Sequence, residues 1–410
     1  MSGLGVVLSG GGARGAYEAG VLQFAFADLP KKLGRTPDVR VICGASVGAV
    51  NGTFLASAIE APDRGVRRLV DLWRQLSLDQ VLAFGVREAT GLHRVLLGGK
   101  RPAGLFGAVR LGDLVRNSGN WRQLRYNIRK GRLTALTVTT TDVATGHPVV
   151  FVDRAPGVVL PTTLPAQVVV SAAHIGPHHV LASAAIPLVF PPVAIGGRLH
   201  CDGGLRLNTP MSPALHLGMD RLLVVGVSTP HGVGSPSLEV GRFPGASFLL
   251  GKVLNAFLLD HVNSDLGELN RVNRVIEDGE TAFGPDFIDR VNAITRLRGG
   301  FPRRRVAVSA LRPSVDIGRT ASEYLQSHRA RFGRVLGRAF LRLLDVGVGA
   351  DADLASYLLF DGEFARELIE MGRRDAENAR DELEALLFDP SESALPHSEA
   401  PLGQAVNENS

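Results

Sequence analysis

Val39-Arg-Val-Ile-Cys-Gly-Ala-Ser-Val-Gly48 is the stretch that decides the fold. Its first five residues form a mainly apolar, β-branched run typical of a buried strand, and residues 49–59 that follow favour a helix. Between them, residues 44–48 match the G-x-S-x-G pattern, a sharp turn that lifts a serine out of the sheet edge. The stretch predicts a nucleophile at Ser46, with Gly44 and Gly48 as the small residues of the turn. A tight packing turn with an incidental serine is the alternative.

The preceding residues repeat this order of elements. Residues 4–8 form a short valine-rich strand, and residues 16–29 have helical spacing, with Pro30 expected to end the helix. Strand, helix, strand and helix in succession predict parallel βαβ units with right-handed crossovers.

The loop between the first strand and helix is Gly10-Gly11-Gly12-Ala13-Arg14-Gly15. It matches G-x-G-x-x-G, but a dinucleotide site needs an acidic residue at the end of the second strand, where this chain has Cys43-Gly44-Ala45-Ser46. Glycine amides exposed beside Ser46 would instead suit an oxyanion hole. Arg14 is expected to fix this loop, to help hold the anion, or to lie on the surface.

Further elements follow along the chain, and their expected bounds are approximate. Strands are predicted at residues 133–141, 148–152, 167–170, 193–201, 221–227 and 305–309, with the second pairing with the first. Helices are predicted near Ala182, over residues 248–275 and over residues 364–387, the last with one apolar face. The polar residues 389–410 are expected to be a disordered tail.

Composition excludes several classes of protein. The 410 residues are 45% hydrophobic, which excludes disorder for most of the chain, and two cysteines are too few for a disulfide framework. The net charge of +5 includes a basic cluster between Arg290 and Arg342, which either solvates the surface or faces anionic lipid headgroups. Aromatic residues do not interleave with it, so we expect no nucleic acid partner. No apolar run reaches about 18 residues and no signal peptide precedes the first strand, so a cytoplasmic protein is expected, either free or at the periphery of a membrane.

A nucleophilic serine needs a proton acceptor, usually a histidine. By chain order the candidates are His216, His231 and His261, but none has a matching loop context. The group His174, His178 and His179 resembles a metal cluster without a carboxylate or cysteine companion, so exposed loop histidines and no metal are expected there.

Asp202-Gly203-Gly204 offers a carboxylate instead. It follows a strand-like run ending at Cys201, and its glycines permit close approach of another backbone segment. A common Asp-Gly turn is the alternative. His200 lies on the same side of that strand as Asp202, where it would act as a relay, support the site or lie on the surface.

The ordered motifs Ser9-Gly-Gly-Gly-Ala-Arg-Gly15, Gly44-Ala-Ser-Val-Gly48 and Asp202-Gly-Gly204 resemble those of the patatin-like phospholipases. Ala182-Ser-Ala-Ala-Ile-Pro-Leu-Val-Phe-Pro-Pro192 also looks like that family, and the resemblance covers residues 3–230. It departs at Ser9, where plant members often have aspartate.

This resemblance implies a three-layer α/β/α sandwich with a mainly parallel central sheet. It implies Ser46 as nucleophile, Asp202 as base without a histidine, Gly203 and Gly204 in support, and an oxyanion hole of Gly10, Gly11, Gly12, Ala13 and Arg14. The substrates would be phospholipids or other fatty-acyl esters, cleaved through an acyl-enzyme without metal or cofactor. Residues 186–193 would line an acyl groove or pack in the core. An acyltransferase or a non-catalytic lipid-binding protein of the same fold are the alternatives.

Domain bounds follow from the same reasoning. Residues 1–235 are the expected catalytic core, and residues 236–350 a helical region with a late strand that completes the same domain. Residues 351–388 are an expected C-terminal helical segment. The sequence does not indicate the oligomeric state.

Overall fold

A nine-stranded sheet forms the centre of the computed structural model, which describes residues 3–81, 112–113, 115–116, 119–160, 168–187, 189–229, 261–328 and 353–388. Its strands are β1 (Leu4–Leu8), β2 (Val39–Ala45), β3 (Ala135–Asp142), β4 (Pro148–Arg154), β5 (Val169–Ala172), β6 (Val193–Ile195), β7 (Arg198–Asp202), β8 (Arg221–Val225) and β9 (Ala307–Leu311).

Seven strands follow the order β5-β4-β3-β2-β1-β8-β9, and the β6–β7 hairpin joins the sheet through β3. Strands β3, β2, β1, β8 and β9 are mutually parallel, whereas β4 and β7 both pair antiparallel with β3. The carboxyl ends of β1 and β2 are therefore neighbours at one edge of the sheet. This edge carries the glycine loop and Ser46.

The described helices are α1 (Gly15–Gln23), α2 (Leu29–Leu33), α3 (Val47–Ser57), α4 (Pro62–Gln75), α5 (Leu78–Val81), α6 (Trp121–Arg129), α7 (Pro177–Ser183), α8 (Met211–His216), α9 (His261–Phe283), α10 (Phe287–Leu297), α11 (Ile317–Ser327), α12 (Asp353–Leu358), α13 (Gly362–Asn378) and α14 (Arg380–Phe388).

Side chains alternate between the two faces of the sheet along each strand, so there is one hydrophobic core on each side. In β1, Val6 and Leu8 face the larger core, which includes α1, α3, α4 and α13, while Val7 faces a smaller core with α8 and α9. Helices thus cover both faces of a mainly parallel sheet, and the three-layer α/β/α prediction is confirmed.

Two of the expected helices differ in detail, whereas the late strand lies where it was expected. The first helix does not end at Pro30, because a π-helical turn at Phe24–Asp28 leads into α2, where Pro30 occupies the first turn and needs no hydrogen-bond donor. The helix expected over residues 364–387 is two helices, α13 and α14. The late strand pairs parallel with β8 and so belongs to the same sheet.

Two expectations lie wholly or partly outside the described residues. The tail 389–410 is outside them, and so are residues 248–260 of the helix predicted up to Val275. From His261 the helix is present and continues to Phe283.

Candidate active site

Ser46 occupies the strained turn that its motif predicts. Its backbone dihedrals are φ 52° and ψ −124°, and it has the one positive φ of a non-glycine residue among the described residues. Such a conformation is unfavourable for an L side chain and persists where the surroundings enforce it. The side chain stands between the end of β2 and the start of α3, with only 3% of the residue exposed.

Two glycines permit this turn. A Cβ on Gly44 would lie 2.5 Å from the carbonyl oxygen of Gly48, and a Cβ on Gly48 would collide with the carbonyl oxygen of Leu8. Any side chain at either position would push α3 away from β1 and β2. The prediction that these two residues form the turn is therefore supported by the packing.

Asp202 lies within hydrogen-bond reach of Ser46. The Ser46 hydroxyl donates to Asp202 Oδ2 at 2.6 Å, and the Gly204 N–H donates to Asp202 Oδ1 at 2.7 Å. Asp202 ends β7 opposite Thr140 of β3, and it has no exposed surface. Gly203 packs against the carbonyl oxygen of Thr139, where a side chain would not fit. The structure thus joins two motifs that are 156 residues apart.

Burial raises the pKa of Asp202 from its ordinary 3.8 to about 7, because the charged carboxylate is removed from water. The hydrogen bonds from Ser46 and Gly204 stabilise the charged form and act in the opposite direction. A carboxyl group with this pKa is partly ionised near neutral pH and is a stronger base than an ordinary aspartate.

Ser183 is a supporting residue that the sequence did not single out. Its hydroxyl accepts a hydrogen bond from the Ser46 N–H at 2.8 Å and donates to the carbonyl oxygen of Thr139 at 2.5 Å. It therefore ties the turn at Ser46 to β3. Its only sequence signal was membership of the 182–192 segment.

The glycine loop lies beside Ser46, but its three glycines are not equivalent. The Gly10 N–H donates to Asn208, to the side-chain Oδ1 at 2.9 Å and to the main-chain oxygen at 3.2 Å. The Gly10 amide is therefore already used to hold the loop, which disfavours Gly10 as an oxyanion donor. Within the described residues, the N–H groups of Gly11 and Gly12 meet no acceptor. Asn208 was not foreseen, because an isolated asparagine has no sequence signature.

Arg14 is buried, with 3% exposure, so the surface alternative for it is wrong. Its Nε donates to Ser356 Oγ at 2.8 Å, and its guanidinium lies 4.3 Å from the centre of the Tyr357 ring. Its main-chain N–H donates to the carbonyl oxygen of Gly11. These contacts agree with the expectation that Arg14 fixes the loop.

A cavity opens at Ser46 and Gly12. Apart from these two residues its walls are almost entirely apolar, and they come from α3, α4, the 184–190 segment and the C-terminal segment. They include Val50, Trp73, Ile186, Phe190 and Phe360. Ile186 and Phe190 thus line the cavity as well as packing in the core. An apolar cavity with a reactive group at one end is typical of a site for an apolar ligand.

The histidines take other roles. His200 is buried, and its described hydrogen bond joins Nδ1 to Thr140 Oγ1 at 3.1 Å. His216 Nδ1 lies 2.8 Å from the main-chain oxygen of Ser212 in α8. Burial lowers the pKa of both imidazoles. His231 lies outside the described residues, and so does the side chain of His261.

The 174–179 group is partly corrected. His174 and His178 are exposed as expected, but His179 is buried against Phe151, and this burial lowers its pKa to about 4. Across the described part of the chain, no cluster of three His, Cys, Asp or Glu side chains is suited to a metal ion. Nor does any described helix have the length and apolar character needed to span a membrane.

Comparison with known proteins gives one family match. The family model described as Patatin-like phospholipase matches residues 6–215, which contain Ser46 and Asp202. Among curated proteins, none matches the chain.

Three solved structures match the chain at low identity and with low TM-scores. VipD from Legionella pneumophila is 12% identical, with 97% of this chain and 92% of that chain covered and a TM-score of 0.31. Human GIVD cytosolic phospholipase A2, solved with methyl gamma-linolenyl fluorophosphonate, is 12% identical, with coverages of 94% and 59% and a TM-score of 0.42. The type III effector protein ExoU is 15% identical, with coverages of 87% and 78% and a TM-score of 0.24.

Proposed function

Because the chain belongs to the patatin-like phospholipase family, an ester-hydrolysing family of lipid acyl hydrolases, we propose that Ser46 and Asp202 form its catalytic dyad. The observation that supports this most is the 2.6 Å hydrogen bond from the Ser46 hydroxyl to a fully buried carboxyl group. A nucleophile and a base within hydrogen-bond reach are the minimum that acyl transfer requires.

The chemistry runs in two halves. Ser46 Oγ attacks the acyl carbonyl carbon while its proton moves to Asp202, and the collapsing tetrahedral intermediate releases the alcohol, which takes the proton. The acyl group is then an ester of Ser46. A water molecule, deprotonated by Asp202, attacks this ester, and the fatty acid leaves as Ser46 regains its proton. Both halves need Asp202 ionised at the start, which the pKa of about 7 permits near neutral pH.

For the oxyanion hole we propose the N–H groups of Gly11 and Gly12, because Gly10 is engaged by Asn208. Gly12 lines the cavity together with Ser46, so its amide is close to the reacting carbonyl. The N-terminus of α3 adds a favourable dipole for negative charge. Loss of one such donor costs about 3–4 kcal/mol of transition-state stabilisation in comparable enzymes.

The proposed substrate is a fatty-acyl ester, of a phospholipid or a related lipid. Its acyl chain would occupy the apolar cavity, and its ester would lie at the polar end between Gly12 and Ser46. Burial of each methylene of the chain in such a cavity contributes about 0.8 kcal/mol. The described residues of the cavity present no cation or carboxylate that would select a charged acyl group.

The test is hydrolysis of nitrophenyl esters and of phospholipid vesicles by Ser46→Ala and Asp202→Asn. Matched controls are Ser57→Ala, a buried serine at the end of α3, and Asp153→Asn, a buried carboxyl group in β4. Activity lost in the first pair and kept in the second supports the dyad. Near wild-type turnover in either member of the first pair contradicts it.

Acyl transfer to another alcohol would use the same site. Product analysis with and without an acceptor alcohol distinguishes the two, because a transferase forms a new ester where a hydrolase releases only fatty acid. A lipid-binding protein without catalysis would bind vesicles yet leave the esters intact. The intact hydrogen bond between Ser46 and Asp202 favours catalysis.

We also propose reversible contact with anionic membrane surfaces through the arginines between residues 290 and 342, of which the structure describes those up to 328. Exposed apolar side chains accompany them, with Leu297 87% and Ile294 52% exposed. Residues 303–305 directly precede β9, at the sheet edge opposite Ser46. Contact through these arginines would therefore hold the protein at a surface without directing the cavity into it.

A further inference from the structure

The C-terminal segment, residues 353–388, lies outside the region matched by the family model, yet part of it lies at the candidate active site. We propose that residues 355–360 are a working part of that site: Ser356 and Tyr357 position the oxyanion loop, and Phe360 forms a wall that limits the acyl cavity. This inference rests on the proposed function of Ser46 and Asp202.

The segment is firmly attached to the catalytic core. Helix α13 crosses α1 so closely that Gly20 meets the carbonyl oxygen of Ile369 and Gly372 meets the carbonyl oxygen of Tyr17. A side chain at either glycine would separate the helices. Close backbone packing of this kind fixes the position of α13 relative to the glycine loop, because α1 begins where that loop ends.

The start of α13 is fixed independently. Asp361 caps the helix by accepting hydrogen bonds from the N–H groups of Glu363 and Phe364, and it accepts another from the Tyr324 hydroxyl at 2.7 Å. Residues 355–360, directly before this cap, are all buried. Residues 355–360 are therefore held in place by the packing of α13 against α1 and by the cap at Asp361.

Two contacts connect this segment to the oxyanion loop. The Ser356 hydroxyl accepts the hydrogen bond from Arg14 Nε, and the Tyr357 ring lies under the Arg14 guanidinium. Arg14 in turn donates its main-chain N–H to Gly11, one of the two proposed oxyanion donors. Moving Arg14 would thus move Gly11.

The second connection is direct. Gly12 has a φ of +57° and packs against the main-chain carbonyl group of Tyr357, which occupies the place of a side chain. This carbonyl group therefore supports the loop at Gly12, the residue whose amide is proposed to act. Ser356 and Tyr357 are accordingly positioning residues, since they act through Arg14 and Gly12.

Phe360 contributes to the cavity itself. It lines the apolar wall and lies parallel to Trp73, with ring centres 6.3 Å apart and planes 12° apart. Trp73 is held by a hydrogen bond from its Nε1 to Asn51 Oδ1 at 3.1 Å, and Asn51 donates to the buried Glu18 at 2.8 Å. Because Trp73 is fixed on one side of Phe360, the size of residue 360 determines how much space an acyl chain has in this part of the cavity.

The positioning role is tested with Ser356→Ala, Ser356→Thr and the control Ser309→Ala. Ser309 is another fully buried serine, in β9, whose hydroxyl has no hydrogen-bond partner in the described residues. We expect Ser356→Ala to lower kcat about tenfold for every nitrophenyl ester with KM unchanged, because only transition-state contacts weaken. Ser356→Thr, which keeps a hydroxyl group, should recover most of kcat.

A kcat within twofold of wild type in Ser356→Ala would overturn the positioning role, and so would an equal loss in Ser356→Thr. Thermal midpoints are measured for all variants. If Ser356→Ala does not fold, Tyr357→Leu replaces it, since this change removes the ring beneath Arg14 but keeps the main-chain carbonyl group.

The wall is tested with Phe360→Leu and Phe360→Trp on esters from butyrate to palmitate. We expect the smaller side chain to move the maximum of kcat/KM to longer acyl chains and the larger one to move it to shorter chains. Identical profiles in both variants would overturn the role of Phe360. These outcomes are separate from the dyad test: an active Ser46→Ala rejects the proposed function, whereas an inactive Ser46→Ala with unaltered 356 and 360 variants rejects this inference alone.

Discussion

Replacing Asp202 by asparagine should abolish esterase activity and at the same time stabilise the fold at alkaline pH. The amide has the shape of the carboxyl group, so the hydrogen bond from the Gly204 N–H to Oδ1 is kept. On the other side the amide group donates to Ser46 Oγ instead of accepting its proton. The variant therefore lacks a base but retains the packing.

The magnitude follows from the pKa. Above pH 7 the native protein holds a buried charge that the unfolded chain exposes to water, and the raised pKa means that this charge destabilises the native state. The difference between 3.8 and about 7 corresponds to about 4 kcal/mol at about 1.4 kcal/mol per pH unit. The native state of the wild type is favoured most below pH 3.8, where Asp202 is protonated in both the native and the unfolded states. This contribution to stability is lost as the pH rises through 7. Asparagine never carries the charge, so the variant avoids the loss.

The assay is thermal unfolding of wild type and Asp202→Asn at pH 8 and pH 5, with Asp153→Asn as the control. For a chain of 410 residues, 4 kcal/mol corresponds to a rise in Tm of about 5 °C at pH 8. The rise falls to about 2 °C at pH 5, because Asp202 is already protonated in most native molecules at that pH. If the Tm difference between Asp202→Asn and wild type is no larger at pH 8 than at pH 5, the argument that burial determines the basicity of Asp202 is refuted.

Three further outcomes are expected. Alanine at His200 or at His216 should leave kcat within a few-fold of wild type, since neither imidazole contacts Ser46 in the described structure. Loss of turnover in a folded variant of either would mean that a triad replaces the proposed dyad. Gly12→Ala should lower kcat/KM by at least tenfold in an ester assay, because a Cβ would collide with Tyr357 and the positive φ disfavours it, and unchanged activity would remove Gly12 from the oxyanion hole. The protein should sediment strongly with phosphatidylglycerol vesicles at low salt and weakly near 1 M salt, where the screening length shortens to about 3 Å. Equal binding to neutral vesicles would mean that the arginines only solvate the surface.

Local sequence was sufficient for the elements that position the site. The apolar runs that became β1, β2 and β8 and the G-x-S-x-G turn at Ser46 each depend on neighbouring residues, so their pattern shows in any short window. The pairing of Asp202 with Ser46 was accessible only through the resemblance to a family, because β7 comes to the site by antiparallel pairing with β3. Spacing along the chain does not reveal such a contact.

The missed residues are those whose role depends on distant contacts. Ser183 and Asn208 hold the turn and the glycine loop through hydrogen bonds to residues distant in sequence, and isolated serine or asparagine residues occur throughout the chain. Ser356, which accepts the hydrogen bond from Arg14 Nε, lies 342 residues away in a segment whose amphipathic pattern predicted helices but no function. The helix through Pro30 was missed because a π turn, which has no simple sequence pattern, precedes it.

The most direct test of the central claim is labelling with a fluorophosphonate, followed by intact mass and peptide mapping, at a series of pH values. The probe reacts with an activated serine, so wild type should gain one adduct on Ser46, at a rate that rises through about pH 7 as Asp202 ionises and is constant above it. Ser46→Ala should gain none, and Asp202→Asn should react far more slowly at every pH. An adduct on another serine, or a labelling rate in Asp202→Asn equal to that of wild type, would contradict the account.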